Sequence, residues 1–187
     1  MHTPITTFSD ANIAENLLLA DPSLRDGYFD RSVIYMVDHS IDQGSLGLIL
    51  NKPTPRTVGD LISSEQFKKL AHLPIHMGGP VDNDQMFFAN FECIEPNQLS
   101  CEFRLSAERA TELIGKPNAH IRAFVGHSAW TVGQLEEEFE RHAWFLRNAP
   151  ARLTLESNNE IIWQELLQDL SPFHHIISLT PKDPFLN

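Results

Sequence analysis

Residues 32–38 read Ser-Val-Ile-Tyr-Met-Val-Asp, with five consecutive apolar side chains between two polar ones. An apolar run of this length without alternation is typical of a β-strand that is covered on both faces. Residues 16–20 before it and residues 46–51 after it are similar runs, and turn residues bound each of them. The segment 40–45 fits a hairpin loop. We therefore predict that the fold begins with three strands, the last two of which are paired as a hairpin.

Beyond residue 51 the sequence predicts a mixture of strands and helices. Apolar runs bounded by turn residues predict strands at residues 75–77, 85–91, 101–105, 121–125 and 151–156. Capping residues and apolar spacings of three and four predict helices at residues 57–73, 106–115, 131–146 and 160–169. This order indicates an α+β domain with a mixed sheet. No linker or repeat interrupts the chain, so we predict one domain over residues 1–187.

Composition and charge restrict the class of partner. The 187 residues contain 14 Lys and Arg against 25 Asp and Glu, which gives a net charge of −11. Duplex nucleic acids bind to clustered basic surfaces, and here the only adjacent basic pair is Lys68-Lys69. The composition therefore disfavours direct nucleic-acid binding and favours an unknown small molecule or protein as partner. With neither a signal peptide nor a long apolar segment, we expect a cytoplasmic protein without membrane contact.

The sequence predicts no metal and no cofactor. Cys93 and Cys101 lack the CxxC spacing of zinc sites, and the nine histidines form no HExxH or other ligand set. The stretch Gly78-Gly79-Pro80 lacks the lysine and serine of a phosphate-binding P-loop. It fits either a tight structural turn or a nest of backbone N–H groups that holds an anion.

One motif has the position of a catalytic serine. Gly126-His127-Ser128-Ala129-Trp130 lies between a predicted strand and a capped helix, as a hydrolase nucleophile does, and Asp169 and His174 or His175 follow downstream. A nucleophile elbow needs a small residue two positions after the serine, and Trp130 occupies that place. We therefore assign no catalytic residue, and a small serine hydrolase centred on Ser128 remains the alternative.

Turns at strand ends are the best candidates for a binding site, because a sheet holds them rigidly while their backbones stay accessible. Arg31 can pair with Asp26 or Asp30, or it can supply charge to a pocket for an acidic ligand. We predict that several such turns converge on one cleft. The predicted ligand-binding residues are Arg31, Asn51, Gly78, Gly79, Ser128, Trp130 and Gln134.

Several blocks together resemble the AlgH/YqgE-like family of bacterial proteins. The resemblance covers about residues 15–170 and rests on residues 19–26, 29–35, 47–53, 78–81, 126–130 and 133–138, and on Trp144 and Trp163. It implies a compact α+β fold with a mixed, split and partly barrel-like sheet surrounded by helices, and no established enzymatic activity. Family members labelled transcriptional regulators lack a recognisable DNA-binding motif. His127 and Ala129 depart from the usual Gly-Tyr-(Ala or Ser)-Gly-Trp block.

The sequence and the resemblance together favour a cytosolic, non-enzymatic protein that binds a ligand or another protein. Because some family members are labelled transcriptional regulators, we also expect a regulatory, transcription-related role.

Overall fold

The computed structural model describes residues 12–25 and 27–179, and these residues form one mixed sheet with helices around it. The strands are β1 (Asn16–Ala20), β2 (Val33–Ser40), β3 (Gly44–Ile49), β4 (Pro53–Thr57), β5 (Pro74–Met77), β6 (Val81–Glu95), β7 (Gln98–Leu105), β8 (His120–Trp130) and β9 (Trp144–Asn148). The helices are α1 (Val58–Leu61), α2 (Ala107–Leu113), α3 (Gln134–Glu140), α4 (Ala151–Glu156), α5 (Ile162–Gln168) and α6 (Pro172–Ser178). A short 3-10 helix spans Glu65–Phe67.

The strand order is β4-β5-β8-β3-β2-β1-β9, with β6 beside β8 and β7 beside β6. Only β5 and β8 run parallel among the described pairs; the others are antiparallel. The sheet is not closed. The predicted α+β class and mixed sheet are therefore confirmed.

The long strand β8 joins the two halves of this sheet. Its residues 123–125 pair with β5 and its residues 128–130 pair with β3, while β6 pairs with residues 120–125 and with His127. Gly126 lies between the β5 and β3 pairings with a φ of 68°, and a Cβ atom there would collide with the Gly79 carbonyl. The strand can change partners at this point because glycine permits both the conformation and the close approach.

The predicted two-sided burial of the second strand is confirmed. Val33 and Tyr35 belong to one hydrophobic cluster and Ile34 and Met36 to another, and all four are fully buried. The Tyr35 hydroxyl donates a hydrogen bond of 2.7 Å to the Leu99 carbonyl, so its polar end is satisfied inside the core. A third cluster lies between α1, α2 and the β5–β6–β8 half. None of the described helices combines the length and hydrophobicity that crossing a membrane requires.

Three predicted elements are wrong in extent or type. The predicted helix 131–146 is interrupted at His142, which has a φ of 58°, and its second half is strand β9, paired with β1. The predicted helix 57–73 contains only α1 before Ile62 adopts an extended conformation. The predicted strand 151–156 is helix α4, with Pro150 as its N-terminal flanking residue. Each prediction rested on local apolar spacing, and at β9 the pairing with β1 overrides it.

Candidate functional site: a cleft beside a partly buried arginine

Arg31 and Asn51 lie together, where the start of β2 meets the end of β3. The Asn51 amide accepts a hydrogen bond from the Val33 N–H at 2.8 Å and donates one to the Arg31 carbonyl at 2.9 Å. The Arg31 guanidinium carbon is 5.1 Å from the centre of the Trp163 ring, a cation–π contact. Asn51 therefore fixes the loop before β2, and Asp26, one proposed partner of Arg31, lies outside the described residues.

Gly78, Gly79 and Ser128 form a second group at the junction of the half-sheets. The Gly78 carbonyl accepts hydrogen bonds from the Ile49 N–H at 2.9 Å and from the Ser128 hydroxyl at 3.1 Å. The Gly78 N–H donates to the Val125 carbonyl. Ser128 is fully buried within β8 rather than in a strand-to-helix turn. These contacts favour the structural-turn interpretation of the glycines and give Ser128 a structural role.

Trp130 and Gln134 form a third group around one carboxylate. The indole N–H groups of Trp130 and Trp144 both donate to Oε2 of Glu138, at 2.8 and 2.7 Å. The Gln134 amide donates to Oε1 of the same side chain at 3.1 Å. Phe29 stacks on Trp130, with ring centres 6.3 Å apart. Glu138 thus fastens α3 to the aromatic cluster, and sequence reasoning had given this residue no role.

The predicted residues therefore occur as three local groups whose polar atoms bond within the protein. A shared ligand site for all of them stays a prediction.

A different set of residues surrounds an open cleft of about 310 Å³. It lies where β5, the start of β8 and the segment after α4 meet. Its lining residues are Pro74, His76, His120, Ile121, Arg122, Leu155, Ser157 and Asn159. None of the predicted site residues and no acidic side chain lines this cleft, although the chain is strongly acidic.

Arg122 supplies the positive charge of the cleft. Its guanidinium donates to the Leu50 carbonyl at 3.3 Å and to the Thr154 and Leu155 carbonyls at 3.2 and 3.4 Å. The last two carbonyls belong to α4, and carbonyls near a helix C-terminus carry partial negative charge. The ion pairs of the described residues do not include Arg122. Burial lowers its pKa to about 10, so it stays charged at pH 7.

His76 adds a neutral imidazole to the same cleft. The residue is 4% exposed, and its buried Nδ1 atom has no hydrogen-bond partner among the residues that the structure describes. Burial and, second, the charge of Arg122 lower its pKa to about 4, while nearby backbone of Ala123 and Pro74 acts in the opposite direction. At pH 7 the ring therefore offers one N–H donor and one acceptor nitrogen.

A guanidinium with unused N–H donors and a neutral imidazole have the chemistry that binding a small anion requires, since charge-assisted hydrogen bonds to carboxylate or phosphate oxygens are strong. One feature of the sequence indicates this site. Arg122 interrupts the predicted buried strand Ile121-Arg122-Ala123-Phe124-Val125, and a charged side chain inside an apolar run needs a partner or a ligand. The proximity of His76 on β5 depended on the parallel pairing of two distant segments.

The mixed sheet and its helices place the described residues in the α+β class, and comparison with known proteins identifies the family. A family model described as DUF179, AlgH-like, matches residues 17–173. The chain belongs to this AlgH-like family, as the sequence resemblance predicted. The family is one of unknown function.

Curated relatives match over almost their whole length. A UPF0301 protein of Parabacteroides distasonis is 33% identical over 187 residues, covering 94% of this chain and 91% of the relative. A UPF0301 protein of Chlamydia felis is 36% identical over 181 residues, covering 92% and 94%.

Two solved structures share the fold. Protein DIP2367 of Corynebacterium diphtheriae has a TM-score of 0.71 at 21% identity, over 90% of this chain and 93% of that one. The AlgH protein of Pseudomonas aeruginosa, solved in solution, has a TM-score of 0.67 at 22% identity, over 97% and 98%. At these identities the comparisons support the fold alone.

Proposed function

We propose that this protein is a non-enzymatic binding protein that takes a small anionic ligand, a carboxylate or a phosphate, in the cleft at Arg122. The observation that carries the proposal is a partly buried guanidinium that has no carboxylate partner among the described residues and lies in a cleft without acidic lining. A charge that is partly withdrawn from water is costly unless it is compensated, and an anion in the cleft would compensate it.

The contacts of Arg122 also support a purely structural alternative, in which it joins β8 to the end of α4. Three carbonyl acceptors occupy part of its five N–H donors. Neutral carbonyls stabilise a cation but do not cancel its charge. The unpartnered Nδ1 of His76, beside the guanidinium, favours a ligand over the structural role alone.

In this proposal the protein acts in the cytosol as a ligand-responsive regulator, and a transcription-related role would operate through a protein partner. The net charge of −11 opposes direct contact with DNA. A duplex-binding assay over a range of salt concentrations tests this part, and we expect no salt-dependent binding.

Titration with sodium phosphate at constant ionic strength, followed through backbone amide NMR shifts, tests the ligand site. We expect saturable shifts at residues that line the cleft, such as His76, Arg122 and Ser157, and none when sodium chloride replaces phosphate. Arg122→Gln should abolish the response. Arg152→Gln is the matched control, because Arg152 lies on α4 but is exposed and paired with Glu156.

Absence of saturable shifts in the wild-type protein, with phosphate and with acetate as a second probe, would overturn the proposal. Equal losses in the two arginine variants would do the same. Asn159→Ala keeps the test informative if Arg122→Gln does not fold, since Asn159 lines the cleft outside the sheet. We expect this variant to weaken phosphate binding several-fold.

A further inference from the structure

A second group of chemically competent side chains lies on the β2–β3 hairpin and α3. His39 and Ser45 are partners across the two strands, and the Ser45 hydroxyl oxygen is 2.7 Å from His39 Nδ1. The other ring nitrogen, Nε2, is 3.7 Å from Oε1 of Glu136 in the first turn of α3. The three side chains therefore stand in the order hydroxyl, imidazole, carboxylate.

This order defines the proton positions. If the Ser45 hydroxyl donates to Nδ1, the proton of the neutral ring resides on Nε2 and faces the Glu136 carboxylate. A hydroxyl, an imidazole and a carboxylate in this order form the arrangement that activates serine nucleophiles in unrelated folds. Here the 3.7 Å between Nε2 and Oε1 exceeds hydrogen-bond distance, so Glu136 acts on the ring through its charge. The His39 and Glu136 side chains are 14% and 36% exposed, whereas Ser45 is 8% exposed, so a reagent reaches the serine from the His39–Glu136 side of the group.

We propose that Ser45 is a base-activated nucleophile that accepts acyl groups from small activated esters. In this step the Ser45 oxygen forms a bond to the acyl carbon, and the hydroxyl proton moves to His39 Nδ1. The bond from the acyl carbon to the leaving oxygen breaks, and His39 returns the proton to the departing alkoxide. Ser45 is left as an ester and the alcohol is released, so no oxidant or further reactant is needed.

Apolar surface next to the group indicates the class of acyl donor. Ile41, in the hairpin turn between His39 and Ser45, is 73% exposed. Val132, two residues beyond the strand partner of Ser45, is 59% exposed. Neither turn contains Lys or Arg, so these turns favour a short apolar acyl chain over an anionic one.

This inference is independent of the proposed anion site, and it is compatible with a non-enzymatic protein because Ser45 remains an ester and no turnover is proposed. Ser45, His39 and Glu136 do not line the cleft at Arg122, and neither experiment depends on the other.

The test is incubation of the full chain with p-nitrophenyl acetate and, separately, with a fluorophosphonate probe, followed by peptide mass mapping. We expect one covalent adduct, located on Ser45. Ser171 is an internal reference, because its hydroxyl is also 2.7 Å from a histidine Nδ1, that of His174, yet no ion pair of that histidine is present among the described residues. Modification of Ser171 to the same extent, or of neither serine, would overturn the proposal.

Three variants assign the roles. Ser45→Ala should abolish labelling, and Ser171→Ala should leave it unchanged. His39→Gln should slow labelling about 100-fold, the lower range for loss of a general base. Glu136→Gln should slow it several-fold, because Glu136 orients the base and does not touch the ester. Labelling of Ser45 at the same rate in His39→Gln would contradict base activation, even though the site of modification was correct.

Discussion

Trp130 joins β8 to α3 through ring packing and one hydrogen bond. It is 4% exposed, stacks on Phe29, and shares the Glu138 carboxylate with Trp144. We expect Trp130→Ala to lower the free energy of unfolding by about 3–5 kcal/mol, the range for deleting a packed large aromatic side chain. Urea denaturation measures this change.

The neighbouring Val132 provides the control, since it is 59% exposed. Val132→Ala should change the free energy of unfolding by less than about 0.5 kcal/mol. Equal effects of the two substitutions would show that Trp130 is not part of the core.

His76 makes stability depend on pH. Its pKa is lowered by burial to about 4 in the folded protein from the ordinary histidine value of 6.5. As the pH falls below 6.5, the unfolded chain takes up a proton that the folded protein does not, so stability decreases until about pH 4. The loss amounts to ~3 kcal/mol. We expect His76→Leu to reduce this decrease, measured as unfolding free energies at pH 7 and pH 4.5.

His72→Leu is the control for this measurement, because the same substitution is made there at an exposed residue of the preceding turn. An unaltered pH dependence in His76→Leu would mean that the ring is accessible to protons in the folded protein.

The role of a side chain could be predicted from the sequence only where neighbouring residues determine that role. Trp130 contradicted a nucleophile elbow from the sequence alone, and the burial of Ser128 agrees with that argument. The charge of Arg122 was visible in its apolar strand, but its carbonyl partners come from residues 50, 154 and 155. Contacts between such distant segments are not encoded in any local pattern.

At the scale of elements, β8 can pack closely against the Gly78–Gly79 turn only because glycine has no side chain. A Cβ atom on Gly79 would overlap the backbone of His127 and Ser128. We expect Gly79→Ala to cost about 3 kcal/mol or more in unfolding free energy, since backbone cannot move aside cheaply. Thermal or urea denaturation provides the value.

Gly115→Ala separates this steric effect from the cost of backbone conformation. Gly115 has a φ of 86°, but apart from its chain neighbours no described residue has an atom within 4 Å of the position of an added Cβ. Its substitution should cost only about 1–2 kcal/mol. A Gly79→Ala variant as stable as Gly115→Ala would show that the turn can open.

Strand and helix types were predictable where burial and local pattern agree, as in β1, β2 and α2. They were not predictable where pairing with the free edge of a distant strand determines the element type. Residues 144–148 continue a helical spacing, yet they form β9 because β1 has a free edge that this segment pairs with. The hydrogen bonds of that edge outweigh local helix preference, and periodicity contains no information about it.

For the whole molecule, the acidic balance makes colloidal behaviour sensitive to pH. The net charge is −11 at pH 7 and approaches zero near the sequence pI of 5.1. Because charge repulsion keeps molecules apart, we expect precipitation by polyethylene glycol to require least precipitant near pH 5. Turbidity between pH 7 and pH 4.5 measures this. A polyethylene glycol concentration for precipitation that stays constant over this pH range would contradict the prediction.

The central position of β8 has a consequence for how the chain is made. Strand β3 pairs with β8, which lies more than 70 residues later in the chain, and β1 pairs with β9, which follows β8. Until β8 leaves the ribosome, the nascent β2–β3 hairpin therefore exposes an edge and two apolar faces. Contacts this remote in sequence slow folding, and unpaired apolar strands are prone to aggregation. We therefore expect chaperone binding to the nascent chain to be greatest before residue 130 leaves the ribosome and to decrease after that point.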